Sequence, residues 1–206
     1  MRTANDTTEN RPDLSKRIIA LATNEFRSKG VKAVKMDDIA NALQISKRTL
    51  YEIFDNKEQL LMECVKNTSK ELDDHLNGFI KSKNPNVIEI IVEFYRYQLQ
   101  VISHTSSAFL EDVQKYPAVV KWIDDRRNDN LARAQQFFAD GIKNGYFRSD
   151  VDYDIIGKVS EGALTYIMHD QLFKQYNIKR IFQDVTMLYI RGFCTLKGIE
   201  VLESLL

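Results

Sequence analysis

Proline occurs 3 times and glycine 8 times in the 206 residues, a scarcity that suits a chain built from helices and leaves little material for turn-rich architectures. Cysteine is rarer still. Cys64 and Cys194 each lie inside a helical pattern with no second Cys or His at metal spacing nearby, which excludes a disulfide framework and leaves two reduced packing residues of a cytosolic protein. No run approaches the ~20 apolar residues that a membrane span requires, so no membrane partner is expected. The first residues are polar and lack the apolar segment of a signal peptide, so a cytoplasmic location is expected. His75, His104 and His169 are scattered over separate helical stretches. No Ser, Cys or carboxylate sits at a spacing that recommends a triad, a metal site or an acid/base pair, and no Gly-rich loop offers to cradle phosphates. No catalytic residue, metal or cofactor is therefore assigned, and the chain reads as a non-enzyme.

Charge of one sign is also missing: 29 basic residues meet 29 acidic ones. A neutral chain argues against nucleic acid as a partner, because non-specific DNA affinity comes from Lys and Arg neutralising phosphates. The distribution answers this in part. Between Arg27 and Lys57 there are 7 basic residues (Arg27, Lys29, Lys32, Lys35, Lys47, Arg48, Lys57) against 4 acidic ones (Asp37, Asp38, Glu52, Asp55).

What is present is helical periodicity from end to end, with apolar residues at 44% and charged ones at 28%. The fold class is all-α, about nine helices, with no defensible strand. Residues 1 to 12 are polar, end in Arg11-Pro12, and read as a flexible arm. A first helix follows Asp13, presents Ile18, Leu21, Ala22 and Phe26 on one face and stops at Gly30. Residues 13–56 form a first unit and residues 57–206 a second. Asn56 can cap a long helix that carries its stripe from Leu61 to Ile80, a rod of about 35 Å at 1.5 Å per residue, before Asn84-Pro85. From Val87 to Ile102 the chain is apolar nearly all round, as in a helix buried on several sides. Tyr116-Pro117 opens another long helix ending at Asn144-Gly145. The last two long helices, around Ile155–Ile167 and Ile181–Leu196, have wide apolar faces with Gly157, Gly162 and Gly192 among them. That is more apolar surface than one core can use, and a second copy of the chain is the simplest partner.

The stretch from Gly30 to Leu61 is the most specific. Met36, Ile39, Ala40 and Leu43 fall at i, i+3, i+4 and i+7, a short amphipathic helix with Asp37 and Asp38 in its first turn. Leu43-Gln44-Ile45 is too short for a loop. Ser46 can cap a second short helix that turns Leu50, Ile53 and Phe54 inward and leaves Lys47, Arg48, Thr49, Tyr51 and Glu52 outward. Ala40 is small enough for a steep helix crossing. This is what a helix seated in the major groove needs, with base-edge donors, acceptors and thymine methyls within reach of its outer side chains. Two short amphipathic helices with a tight turn also occur in all-α proteins that never meet DNA, so spacing alone leaves a helical protein-binding adaptor open beside a DNA reader.

The residues Ile39-Ala40, Ser46-Lys47-Arg48-Thr49-Leu50-Tyr51, Phe54 and Asn56-Lys57-Glu58-Gln59-Leu60 resemble, without a gap, the signature of TetR-family transcriptional regulators. The resemblance implies a regulator, most simply a repressor, that binds double-stranded DNA as a homodimer at a palindromic operator and is released by a small hydrophobic or amphipathic effector. Lys35, Ser46, Lys47, Arg48, Thr49, Tyr51 and Lys57 are then the DNA-contacting candidates, Lys57 toward phosphate and Arg48 toward either guanine or phosphate. Three positions depart from the family pattern. Gln44 stands where Gly usually makes a left-handed turn, so the turn either stores roughly 1 kcal/mol of strain or takes a slightly different path. Lys35 stands for a Ser or Thr cap, and Arg48 for a common Gly. The resemblance also implies an effector pocket within about residues 57–175. Polar groups converging in an apolar cavity would mark it, and Tyr95, Gln98, His104, Phe109, Trp122, Asn130, Phe137, Tyr166 and His169 are its candidate lining, set against a plain packing role for most of the aromatics.

Overall fold

A computed structural model of the protein describes residues 11–206, apart from the side chains of 131–133; the arm expected at residues 1–12 falls almost wholly outside them. The order is α1 (Arg11–Lys29), α2 (Met36–Ala42), α3 (Lys47–Tyr51), α4 (Lys57–Lys83), α5 (Val87–Ser103), α6 (Ser107–Val113), α7 (Pro117–Lys143), α8 (Tyr153–His169), a 3-10 turn (Leu172–Lys174), α9 (Ile178–Phe193) and α10 (Leu196–Leu205). The boundaries follow from side-chain caps. Asn56 accepts from the Gln59 N–H, Asn86 from Ile88 and Glu89, Ser106 from Phe109, and Thr195 from Gly198, each satisfying a donor that the first helical turn leaves without a partner. Gly30, at φ 88°, and Asn84, at φ 46°, end α1 and α4 in the left-handed region. At 27 residues α4 is a rod of about 40 Å.

The tenth helix is one more than the apolar pattern suggests, because that pattern runs on through Leu196. The chain breaks there for a backbone reason. Arg148 N–H donates to Phe193 O at 2.9 Å and Thr195 N–H to Tyr146 O at 3.0 Å. This antiparallel bridge of Phe147 with Cys194 pulls the chain out of the helix, and Thr195 starts a new one.

Two apolar clusters hold the elements. The first joins Leu14, Ile18, Ala22 and Phe26 of α1 to Ile39, Ala40, Leu50 and Phe54, and draws in Leu60, Leu61 and Cys64 from α4 with Val113 and Val119 from farther on. The second gathers Val87, Ile88, Val92, Phe147, Ile190, Phe193, Cys194 and Leu202. Burial raises the pKa of both cysteine thiols to about 11, so neither is a reactive thiolate near neutrality.

Phe147 is the centre of the second cluster, ringed by Phe193, Phe137, Phe138 and Tyr153 with ring centroids 5.3–6.4 Å away. Gly141 lies against it, and a Cβ added there would sit 1.9 Å from the Phe147 ring. The surrounding rings leave Phe147 no direction in which to yield. Gly141→Ala is therefore expected to destabilise the protein by about 1–3 kcal/mol through overpacking. In a thermal melt this corresponds to a fall in Tm of roughly 2–4 °C per kcal/mol for a chain of this size; an unchanged Tm would mean that the aromatic cluster repacks freely.

Candidate nucleic-acid interface

The pair α2–α3 is seated on α1 and α4 through Met36, Ile39, Ala40, Leu50 and Phe54, all buried. Ala40 carries the crossing, and the Ile45 N–H closes the turn onto Ala40 O at 3.0 Å. Gln44 adopts φ 57°, so the left-handed turn exists here with a side chain in place of the usual hydrogen. Lys35 precedes α2 without a side-chain cap, as expected of a group that has no acceptor. The far half of the cap is still made, because the Asp38 carboxylate accepts the Lys35 N–H at 2.9 Å.

Ser46 caps α3: its Oγ accepts the Thr49 N–H at 3.0 Å and shares a hydrogen bond of 2.8 Å with Thr49 Oγ1. The cap turns Lys47, Arg48 and Tyr51 to solvent, Tyr51 at 45% exposure despite its size. Both cations have carboxylate partners. Lys47 hydrogen-bonds Asp37 of α2, and Arg48 Nε donates to Glu52 Oε1 one turn on at 2.8 Å. The hydrogen bond and charge of Asp37 raise the Lys47 pKa, and those of Glu52 raise that of Arg48. Pairs this open to water are weak and screened, so a phosphate or a guanine edge can take either cation over.

Lys57 has main-chain partners within the protein. Its ammonium donates to Val31 O at 2.9 Å and Val34 O at 3.0 Å, which spends two of its three donors on the turn between α1 and α2. Sequence reasoning also placed Arg11 in a mobile arm, whereas it opens α1 and donates from Nη2 to Glu52 O at 2.7 Å, closing the end of α3. The Arg-Pro pair carried no signal of a contact 41 residues away.

The nine effector candidates are not brought to one cavity. Phe109 is half-buried against the first apolar cluster and Phe137 against the second. Asn130, Tyr166 and His169 are exposed, with His169 Nδ1 2.7 Å from Asp170 of its own helix end. Tyr95 is buried and stacked on Phe182 at 5.6 Å, while Gln98 and Trp122 are half-buried. Two open grooves accompany them. One of about 790 Å³ between the ends of α1 and α5 includes His104 with Arg27, Tyr97 and Thr105; the other, of about 400 Å³, runs between Tyr95 and α9. Among the described residues no group of three or more His, Cys, Asp or Glu is placed to hold a metal ion. No helix among them is long and apolar enough to cross a membrane.

The backbone of Gln44 supplies a test of how the reading unit is built. Gln44→Gly relieves a left-handed cost of roughly 1–2 kcal/mol against roughly 0.4–1 kcal/mol of added unfolded-state freedom. A net gain of about 0.5–1 kcal/mol is expected in denaturant unfolding, with DNA affinity retained. A loss of stability would mean that the Gln44 side chain itself anchors the turn.

Comparison with known proteins agrees with this geometry. Residues 18–64 match the family described as bacterial regulatory proteins, tetR family. The HTH-type transcriptional repressor KstR2 of Mycobacterium tuberculosis is 24% identical over 144 residues, 68% of this chain and 72% of the relative. YhgD of Bacillus subtilis, an uncharacterised HTH-type transcriptional regulator, is 28% identical over 140 residues, 65% of this chain and 71% of its own. Among solved structures, a transcriptional regulator from Saccharomonospora viridis in complex with choline superposes with a TM-score of 0.69 at 17% identity, over 89% of this chain and 99% of that one. The outward α3, the capped turn and their buried seat all lie inside the segment that matches the tetR family of bacterial regulatory proteins.

Proposed function

We propose that the protein is a homodimeric repressor that places two copies of α3 in successive major grooves of a palindromic operator and leaves it when a small hydrophobic or amphipathic effector binds within residues 57–206. The observation that carries the reading is a five-residue helix whose inner side is wholly spent on the core while Lys47, Arg48, Thr49 and Tyr51 remain for DNA. That set carries the donors, hydroxyls and apolar levers that base edges and phosphates in the major groove can use. Dimerisation is supported by two faces that one protomer leaves bare. On α8, Ile155, Val159 and Tyr166 are exposed at helical spacing around Gly162, and α8 buries only Ile167 of its 17 residues. On α9, Leu188 is 73% exposed one turn from Gly192, where a Cβ would meet nothing. Small residues within apolar stripes let a partner helix approach closely, and a two-fold interface needs such self-complementary faces.

Choline, bound in the Saccharomonospora viridis neighbour, and a ketosteroid, after the description of KstR2 of Mycobacterium tuberculosis as a ketosteroid transcriptional regulator, are suitable first probes of the effector class. A gel shift with DNA from upstream of the protein's own gene tests the reading as a whole: sequence-specific retardation, relieved by an effector, is expected, and retardation of no DNA would favour the adaptor.

Two variants test its parts. Arg48→Ala is expected to lose operator preference by about 5–150-fold, the worth of roughly 1–3 kcal/mol of bidentate guanine contact, while binding random DNA nearly as before. Equal losses on the two DNAs would assign base reading to Lys47, Thr49 and Tyr51. Leu188→Glu removes no contact from the protomer core and is expected to give a folded monomer in sedimentation at micromolar concentration; an intact dimer would take α9 out of the interface.

A further inference from the structure

The turn from Gly30 to Val34, which links α1 to the DNA-reading pair, is held by two side chains that lie outside that pair. From α6 comes Asp112, 7% exposed and the one buried charged residue among those described. Its Oδ2 accepts the Lys32 N–H at 2.7 Å and its Oδ1 takes the Lys115 ammonium at 2.9 Å. A buried carboxylate is costly unless its lone pairs are used, and here both oxygens are. Burial pushes its pKa up, but the Lys115 and Lys32 hydrogen bonds outweigh that and hold it below the ordinary aspartate value. The fit is close. Gly30 has φ 88°, and a Cβ on it would lie 3.0 Å from both Ala108 Cβ and Asp112 Oδ2. A second tie fixes α6 to the end of α1, where the Ser106 N–H donates to Arg27 O at 2.8 Å. From the other side comes Lys57 at the start of α4, donating to Val31 O and Val34 O. Backbone donor and backbone acceptors of one turn are thus taken by two different helices.

We infer that Asp112 is a positioning residue for DNA binding: it sets where α2 begins, and hence how α3 is presented, without touching DNA itself. This rests on the reading of α3 as the DNA-contacting helix. Electrostatics alone predicts the opposite sign. Removing a negative charge should strengthen attraction to phosphates, so a loss of affinity on removing Asp112 cannot come from its charge.

The experiment measures operator binding of Asp112→Ala and Asp112→Asn, with amide hydrogen exchange of residues 30–35 on the free proteins. Asp112→Ala is expected to lose about tenfold in operator affinity, the scale of one hydrogen bond to a charged group, with faster exchange at Lys32. Asp112→Asn, which keeps an acceptor for that N–H, should recover part of both, and it carries the test if Asp112→Ala does not fold. Asp112 variants that bind operator as tightly as the parent would overturn the inference. A parent protein that binds no upstream DNA would instead sink the reading of α3.

Discussion

A helix of five residues has no stability of its own, since nucleating a helix fixes several residues before the first hydrogen bond is returned. Everything about α3 depends on this. It persists because Ser46 caps it, because Leu50 and Phe54 are buried among α1, α2 and α4, and because Arg11 and the turn through Gln44 close its two ends. The same constraint divides its surface. The inner residues are committed to packing, so those left outward carry only local hydrogen bonds and exposed ion pairs and are available to a ligand as large as DNA.

The cations of that surface are held in ordered geometry before any DNA arrives. Asp37 lies against Lys47 and Glu52 against Arg48, which fits a chain whose formal charge is zero. Local pairing weakens indiscriminate attraction to phosphate and leaves each side chain extended toward solvent. Because the pairs are exposed, exchanging a carboxylate for a phosphate or a guanine costs little.

The support beneath the reading pair belongs to the rest of the molecule. Neighbouring carboxylates on α6 face different elements: Asp112 faces the turn after α1, and Glu111 pairs at 2.7 Å with Lys174 of the 3-10 turn between α8 and α9. The first apolar cluster likewise takes Val113 and Val119 from α6 and α7. The head that reads DNA is therefore packed onto α6 and α7, and α6 is tied through Glu111 to the turn between α8 and α9.

By itself the sequence determined what short-range chemistry determines. The 3.6-residue stripes of α1, α2 and α4, the Ser46 and Asn56 caps, the Gly30 stop and the outward set on α3 are all interactions within a few residues, and their signals survive in a linear reading. The excess apolar surface of the last long helices was legible for the same reason, as composition on a face. Only the tertiary structure decided the rest. Lys57 was legible as a cation near a DNA-binding helix, but its donors go to carbonyls 23 and 26 residues away; Asp112 carried no local sign of its bond to Lys32, 80 residues distant. Phe109 and Phe137 have the composition of pocket residues and pack instead against the two apolar clusters, because whether an aromatic ring lines a cavity or packs on a core is set by which helices meet it. The break before α10 came from a backbone bridge to residue 147. Hydrogen bonds and packing between distant segments leave no periodicity in the chain, so they are written in the fold and not in the spacing of residues.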